Sequence, residues 1–152
     1  MAIRVVINGA LGKVGAHVVR AVLAEPDMDL VGCVEATASQ PYFPAPETTR
    51  LIPFSSDLGS LAEGVQPDVV VDFTKATVGL EACRVALPLG VNVVSGSTGF
   101  SSEDLDEIRV LYPGGGTVTI DGKTVRFQIP PQAMDHGIGM VFQEQSLITN
   151  LT

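Results

Sequence analysis

Residues 3–15 read Ile-Arg-Val-Val-Ile-Asn-Gly-Ala-Leu-Gly-Lys-Val-Gly, and this stretch decides the fold. Its first part, Ile3–Asn8, is apolar and partly β-branched, which is typical of a buried parallel strand. The pattern from Lys13 to Ala24 is helical, and Pro26 follows it. A glycine-punctuated turn between a strand and a helix predicts a site for a dinucleotide pyrophosphate, because the helix N-terminus offers unpaired N–H groups to an anion.

Each glycine of this turn has a separate predicted role. Gly9 permits the tight turn, Gly12 lets the backbone approach the pyrophosphate, and Gly15 lets the helix pack closely against the strand. A turn that serves only tight packing stays open as the alternative. We expect the cofactor to contact six residues of this segment: Gly9, Ala10, Leu11, Gly12, Lys13 and Val14.

An acidic residue follows the turn at the spacing that a dinucleotide site requires. Glu35 ends a second predicted strand, Leu30–Glu35, about 20 residues past the turn, where a carboxylate accepts hydrogen bonds from the adenosine ribose. A carboxylate there repels a 2′-phosphate, and Lys13 offsets part of that repulsion. NADH is therefore favoured over NADPH, although NADPH is not excluded. The alternative for Glu35 is a solvated strand end.

Further strands and helices alternate along residues 1–111, which predicts a Rossmann-like, doubly wound parallel α/β sheet. A proline-rich loop is expected over 36–53. The other predicted elements are a short helix from Ser56, its N-cap, to Gly64, its stop, a strand over Val69–Val71, a helix over Thr77–Leu89, a strand over Val91–Ser95, and a helix after Ser102 running to about Leu111.

The third and fourth strands end in segments that should also face the cofactor. Ligands of such folds lie beyond the carboxyl ends of the strands. We therefore expect contacts from five residues in these segments: Phe73, Thr74, Gly96, Ser97 and Thr98.

The character of the sequence changes at residue 112, which predicts a second unit over 112–152. It should form a hairpin about Asp121-Gly122, a short helix over Pro130–His136 and a strand over Ile138–Phe142. We expect this unit to pack on the same sheet, or to complete it with the added strand.

Composition limits the classes of partner. The chain has 152 residues, of which 45% are hydrophobic, and its net charge is -8, which argues against nucleic-acid or anionic-membrane binding. Cys33 and Cys83 lie in apolar stretches and are expected to be reduced core residues. The first residues lack the layout of a signal peptide, and no apolar run has the roughly 20 residues of a membrane span. These features predict a soluble, cytoplasmic protein.

Three segments, in order, resemble the cofactor domain of dihydrodipicolinate reductase: 8–15 (NGALGKVG), 70–74 (VVDFT) and 94–100 (VSGSTGF). The resemblance covers residues 3–109, and Ser97 stands where the family usually has Thr. It implies an oxidoreductase-like, NAD(P)-binding domain from lysine and diaminopimelate synthesis, in which NAD(P)H reduces a cyclic imine or enamine acid.

The catalytic motifs of that family do not occur in these 152 residues. Neither a His-His-x-x-Lys motif nor an Asp-Ala-Pro-Ser-Gly-Thr segment is present, and His17 and His136 are interpreted as surface or packing residues. We therefore assign no catalytic residue and no metal ligand, and expect this chain alone to bind cofactor without turnover. An oxidoreductase subunit that needs a partner chain is one alternative. Loss of a substrate domain would also expose apolar surface that could drive homo-oligomerisation.

The tail resembles a different family. Segments 116–123 (GTVTIDGK) and 137–144 (GIGMVFQE) are similar to part of an ABC transporter ATP-binding subunit, in which Gln143 would be the loop glutamine. A phosphate-binding Gly-x-x-x-x-Gly-Lys-Ser/Thr loop is missing, so ATP hydrolysis is not expected. We interpret the chain as a chimera, engineered or recombined. A coincidental match in a natural short protein, and a folded scaffold that binds no ligand, are the alternatives.

Overall fold

The fold is built on one sheet with helices on both faces. The computed structural model describes residues 1–111 with their side chains and, beyond them, the backbone of three strands at 117–120, 123–126 and 139–141. In this part of the chain the elements are β1 (Ile3–Asn8), α1 (Lys13–Ala24), β2 (Met28–Val34), β3 (Phe54–Ser55), α2 (Leu58–Val65), β4 (Val69–Asp72), α3 (Ala76–Ala86), β5 (Asn92–Ser95), α4 (Ser102–Leu111), β6 (Thr117–Ile120), β7 (Lys123–Arg126) and β8 (Gly139–Val141).

The strand order is β3-β2-β1-β4-β5-β8-β6-β7, and the first seven strands in that order are parallel. The chain winds outward from β1 to β2 and β3, and then returns to place β4 on the other side of β1. The order therefore reverses between β1 and β4, and in such sheets ligands bind beyond the carboxyl ends of the strands at that reversal. The predicted doubly wound α/β sheet is confirmed.

The apolar side chains form one core on each face of the sheet. On one face, Val5 and Ile7 of β1 pack with Val19 and Val22 of α1. On the other, Val6 belongs to a cluster that includes residues of α2, α3 and α4. Alternation along β1 sends successive side chains to opposite faces, and both faces are covered, which explains why the strand is apolar throughout.

The helix after the glycine turn has the predicted bounds but a different buried face. Its buried residues are Gly15, Val19 and Val22. The spacing of apolar residues in the sequence instead favours a face made of Val14, Val18, Ala21 and Val22. Val14 is 42% exposed, because the close approach at Gly15 turns the preceding residue away from the sheet. Val14 thus lies on the outer side of the turn.

The predicted helix Ser56–Gly64 is shifted. α2 spans Leu58–Val65, and Asp57, not Ser56, caps it by accepting the Ser60 N–H at 2.6 Å. Its stop is Gln66, which adopts a left-handed conformation with φ 47°, and not Gly64. The two-residue strand β3, just before this helix, was not predicted, because two residues are too few to show a period.

The later elements agree with the sequence within a few residues. β2 ends at Val34, one residue before Glu35. α3 ends at Ala86, and Leu87–Leu89 continue as a 3-10 turn containing Pro88, which Gly90 closes with φ 74°. The N-cap of α4 is Ser101, one residue before Ser102, the first helical residue.

The predicted hairpin and added strand of the tail are confirmed. β6 and β7 are antiparallel, with Ile120 opposite Lys123. β8 pairs in parallel with β5 and also with β6, and so extends the sheet. The predicted helix over 130–136 lies outside the described residues, and the division of the chain at residue 111 stays a prediction.

Both cysteines are buried free thiols, as predicted. Burial raises the pKa of Cys33 to about 12, and burial, together with the nearby charge of Asp72, does the same for Cys83. Among the described residues, no helix has the length and apolar character needed to cross a membrane.

Candidate dinucleotide site

The glycine turn lies directly against the end of β4. Gly9 has φ +82°, a conformation that side-chain-bearing residues rarely adopt. A Cβ at this position would lie 2.7 Å from Thr74 Cγ2 and 3.1 Å from the Phe73 carbonyl oxygen. The turn after β1 and the segment after β4 are thus in contact at the point where the strand order reverses.

The start of α1 is held tightly on this turn. A Cβ at Gly15 would lie 1.9 Å from the Gly9 carbonyl oxygen, so a larger residue cannot fit without moving the backbone. The Gly12 N–H donates to the same Gly9 oxygen at 3.0 Å, and the Ala16 N–H donates to the Gly12 oxygen at 2.9 Å. These contacts agree with the close helix–strand approach predicted for Gly15.

The first turn of α1 is electrostatically suited to an anion. Gly12 is its N-cap, no side chain caps it, and it holds no acidic residue, while Lys13 is exposed there. This first turn therefore offers N–H groups that no side chain caps, at the positive end of the helix dipole. Leu11 and Val14 are exposed beside it.

Ala10 differs from its neighbours in the turn. It is fully buried, and its N–H donates to the Val34 carbonyl oxygen at 3.2 Å. Ala10 therefore supports the turn from the side of β2, and its direct contact with a cofactor stays a prediction.

Glu35 lies beside the turn, as its spacing implied. Its Oε2 accepts the Leu11 N–H at 3.2 Å, and its Oε1 accepts the N–H of Ala36 at 3.2 Å. The residue is half-buried, so part of the carboxylate stays accessible. This position places a negative charge next to the predicted phosphate loop, on the β2 side of β1.

The ends of β4 and β5 meet on the opposite side of β1. The Thr74 N–H donates to Ser97 Oγ at 3.0 Å, which joins the two segments. A Cβ at Gly96 would lie 2.2 Å from Phe73 Cε1, so the aromatic ring rests against this glycine. Thr98 is exposed at the end of the group. The structure thus brings these five predicted residues to one edge of the sheet.

Sequence reasoning missed the buried polar group beneath this edge. Asp72 is fully buried and accepts hydrogen bonds from Asn8, Thr74, Ser95 and Ser97. An aspartate that ends an otherwise apolar strand was the available signal. Within the residues that have described side chains, no cluster of three or more His, Cys, Asp or Glu could hold a metal ion.

Comparisons with known proteins agree with this geometry. The family model described as dihydrodipicolinate reductase, N-terminus, matches residues 3–118. A 4-hydroxy-tetrahydrodipicolinate reductase from Dehalococcoides mccartyi is 42% identical over 109 residues, covering 72% of this chain and 41% of the relative. The corresponding enzyme of Methanothermobacter thermautotrophicus is 34% identical over 114 residues, covering 70% and 42%. The chain therefore spans about two fifths of the length of these curated relatives.

Solved structures show the same fold. A dipicolinate-bound dihydrodipicolinate reductase from Paenisporosarcina sp. TG-14 matches with a TM-score of 0.64 and 32% identity, covering 73% of this chain and 43% of that one. A Staphylococcus aureus homoserine dehydrogenase, at 15% identity and a TM-score of 0.59, covers 95% of this chain and 33% of its own. This second likeness concerns the fold alone.

The comparisons also bear on the tail. The family match continues to residue 118, past the boundary predicted at 112. The resemblance of 112–152 to an ABC transporter subunit, and the chimera inferred from it, gain no support from these matches. Membership of the reductase family implies a nicotinamide dinucleotide as the cofactor. The chain belongs to the dihydrodipicolinate reductase family, as its N-terminal, NAD(P)-binding domain.

Proposed function

We propose that this chain binds NADH in preference to NADPH at the carboxyl edge of β1, β2, β4 and β5. The observation that carries the proposal is the Glu35 carboxylate, which accepts the Leu11 N–H of the glycine turn at 3.2 Å. In this place it can accept hydrogen bonds from the adenosine ribose. The pyrophosphate would lie at the first turn of α1, and the nicotinamide half toward Phe73, Thr74 and the 96–98 segment.

The preference for NADH follows from charge. A 2′-phosphate carries up to two negative charges and would lie close to Glu35, where Coulomb repulsion is several-fold stronger than in bulk water. Lys13, exposed at the start of α1, would offset part of this repulsion, which explains why NADPH would still bind. Binding of either cofactor by the chain is an equilibrium property and requires no catalytic residue.

We further propose that the chain serves imine or enamine reduction only as the cofactor-binding half. A bound nicotinamide would supply the hydride, and the residues of the site would hold and orient the cofactor. The family's His-His-x-x-Lys motif is absent from these 152 residues, so the chain alone would not turn over. An assay of cyclic imine reduction, with and without an added substrate-domain chain, tests this: turnover by the chain alone would contradict the proposal.

The cofactor preference is tested by titrating the full chain with NADH and NADPH while following nicotinamide fluorescence. The variant Glu35→Gln should lose affinity for NADH and gain affinity for NADPH, moving their ratio by about tenfold, or 1.4 kcal/mol. Glu63→Gln is the matched control, because it removes the same charge from an exposed position on α2. It should leave the ratio unchanged.

Two results would contradict the proposal. If the wild-type chain binds neither cofactor at millimolar concentration, the site does not bind a dinucleotide. The alternative, a folded scaffold that binds no ligand, is then correct. If both variants shift the ratio equally, the preference arises from the overall charge of the molecule and not from Glu35.

A further inference from the structure

Asp72 is the centre of a hydrogen-bond network that joins three strand ends. Its Oδ1 accepts Asn8 Nδ2 at 2.9 Å and Thr74 Oγ1 at 2.7 Å. Its Oδ2 accepts Ser95 Oγ at 2.8 Å and Ser97 Oγ at 2.7 Å. The donors come from the end of β1, the end of β5 and the segments that follow β4 and β5. One carboxylate is therefore hydrogen-bonded to the end of β1, to the end of β5 and to both segments that follow β4 and β5.

The network also fixes the direction of its hydroxyl groups. A hydroxyl has a single proton, and Thr74, Ser95 and Ser97 each direct theirs to Asp72. The lone pairs of these hydroxyl oxygens remain available as acceptors. Ser97 Oγ accepts the Thr74 N–H at 3.0 Å, and Ser95 Oγ accepts the Ser97 N–H at 3.2 Å. The carboxylate thus sets the main chain of both segments through the serine side chains.

A role in strand pairing alone does not explain this arrangement. The backbone ladder already joins β1, β4 and β5, with Asn8 opposite Asp72 and Asp72 opposite Ser95. Asp72 is fully buried and forms no ion pair with any described residue, which is a costly place for a carboxylate. Hydrogen bonds to a charged acceptor are stronger than those to a neutral one. All four hydrogen bonds that Asp72 accepts come from groups at the ligand edge.

We infer that Asp72 is a positioning residue. It holds Thr74 and, through the buried side chain of Ser97, the main chain of 96–98 in the geometry that receives the nicotinamide half of the dinucleotide. This inference rests on the proposed function. It divides the site in two: Glu35 and the glycine turn serve the adenosine and phosphate half, and the Asp72 network serves the other half. Asp72 itself, being fully buried, does not touch the ligand.

The test compares NADH with ADP, which carries the adenosine and diphosphate groups but no nicotinamide. In Asp72→Asn one acceptor oxygen becomes an N–H₂ group that faces donors, so the hydroxyls must reorient. We expect NADH to bind about tenfold more weakly, while ADP affinity changes less than about twofold. A uniform structural defect would weaken both ligands equally.

Two further variants make the test independent of how well Asp72→Asn folds. Ser95→Ala removes a single buried oxygen of the network and cannot touch the ligand, and it should weaken NADH selectively by about threefold. Cys33→Ala is the matched control, because it also removes a single buried atom, but from β2 and outside the network. Ser95 and Cys33 are both fully buried. Cys33→Ala should lower the melting temperature without changing the ratio of NADH to ADP affinity.

The outcomes separate this inference from the proposed function. If the wild-type chain binds NADH and the ratio is the same in Asp72→Asn, Ser95→Ala and Cys33→Ala, the inference is overturned and the proposed function stands. If the wild-type chain binds neither NADH nor NADPH, both are overturned. A selective loss of NADH in the two network variants supports both.

Discussion

At the scale of single residues, two glycines in helices have opposite surroundings. A Cβ at Gly15 would lie 1.9 Å from the Gly9 carbonyl oxygen, whereas a Cβ at Gly64 would meet nothing within 4 Å. Glycine is the poorer helix former at both positions, by about 1 kcal/mol relative to alanine. The space available for a Cβ therefore decides whether a substitution to alanine stabilises or destabilises the chain.

We predict that Gly15→Ala destabilises the chain by about 2–3 kcal/mol, since the new methyl group overlaps backbone atoms that cannot move independently. It should also weaken NADH binding, because relief of the overlap displaces the phosphate turn. Gly64→Ala is the control and should be neutral or stabilising by up to about 1 kcal/mol. Urea unfolding measures both, and equal effects of the two substitutions would contradict the steric role of Gly15.

At the scale of elements, helix starts depend on the side chain at one position. Ser101 Oγ accepts the Asp104 N–H at 3.1 Å, and Asp104 Oδ2 accepts the Ser101 N–H at 2.8 Å. This reciprocal pair is a capping box with aspartate in place of the usual glutamate. Ser102, after which the sequence predicts the helix to begin, is instead the first residue of the helix.

Ser101→Ala should therefore lower the free energy of unfolding by about 1 kcal/mol, since it leaves the Asp104 N–H without its partner. Ser102→Ala deletes the same atom one residue later and should change the stability by less than about 0.5 kcal/mol. Thermal unfolding of the two variants checks the assignment of the cap. A larger loss in Ser102→Ala would mean that the cap is at 102.

At the scale of the whole molecule, charge opposes compactness. The chain carries 17 acidic and 9 basic Lys and Arg side chains, for a net charge of -8. Every arginine among residues 1–111 forms an ion pair, but these pairs are largely exposed and contribute little each. Repulsion among the remaining carboxylates acts over longer distances than the attraction within an ion pair. Salt therefore screens this repulsion more strongly than it screens the ion pairs.

We therefore predict that NaCl between about 0.02 and 0.2 M raises the urea midpoint at pH 7, because screening relieves more repulsion than it removes attraction. The control is the same measurement near the isoelectric point, where the net charge vanishes and the salt effect should disappear. A midpoint that falls with salt at pH 7 would show that the ion pairs dominate.

The sequence predicted the large features of this molecule and missed those that depend on distant contacts. The bounds of β1 and α1, and the place of Glu35, follow from local pattern, because a strand, a glycine turn and a helix each have a short-range signature. The Asp72 network does not, since its donors come from residues 8, 74, 95 and 97 and meet only in the folded chain. The cap at Asp57 was missed because Ser56, one residue earlier, is equally suited to that role.

The central place of β1 has a consequence for the order in which the site is completed. β1 pairs with β2, which soon follows it, but its contact with β4 joins residues 64 apart, as in the Asn8–Asp72 bond. During synthesis, the glycine turn and Glu35 can meet long before Asp72 leaves the ribosome. Non-local pairing of this kind slows folding, and until it occurs one edge of β1 is unpaired and open to association. We therefore expect the part of the site proposed for the phosphates to form early in folding, and the part proposed for the nicotinamide to form late.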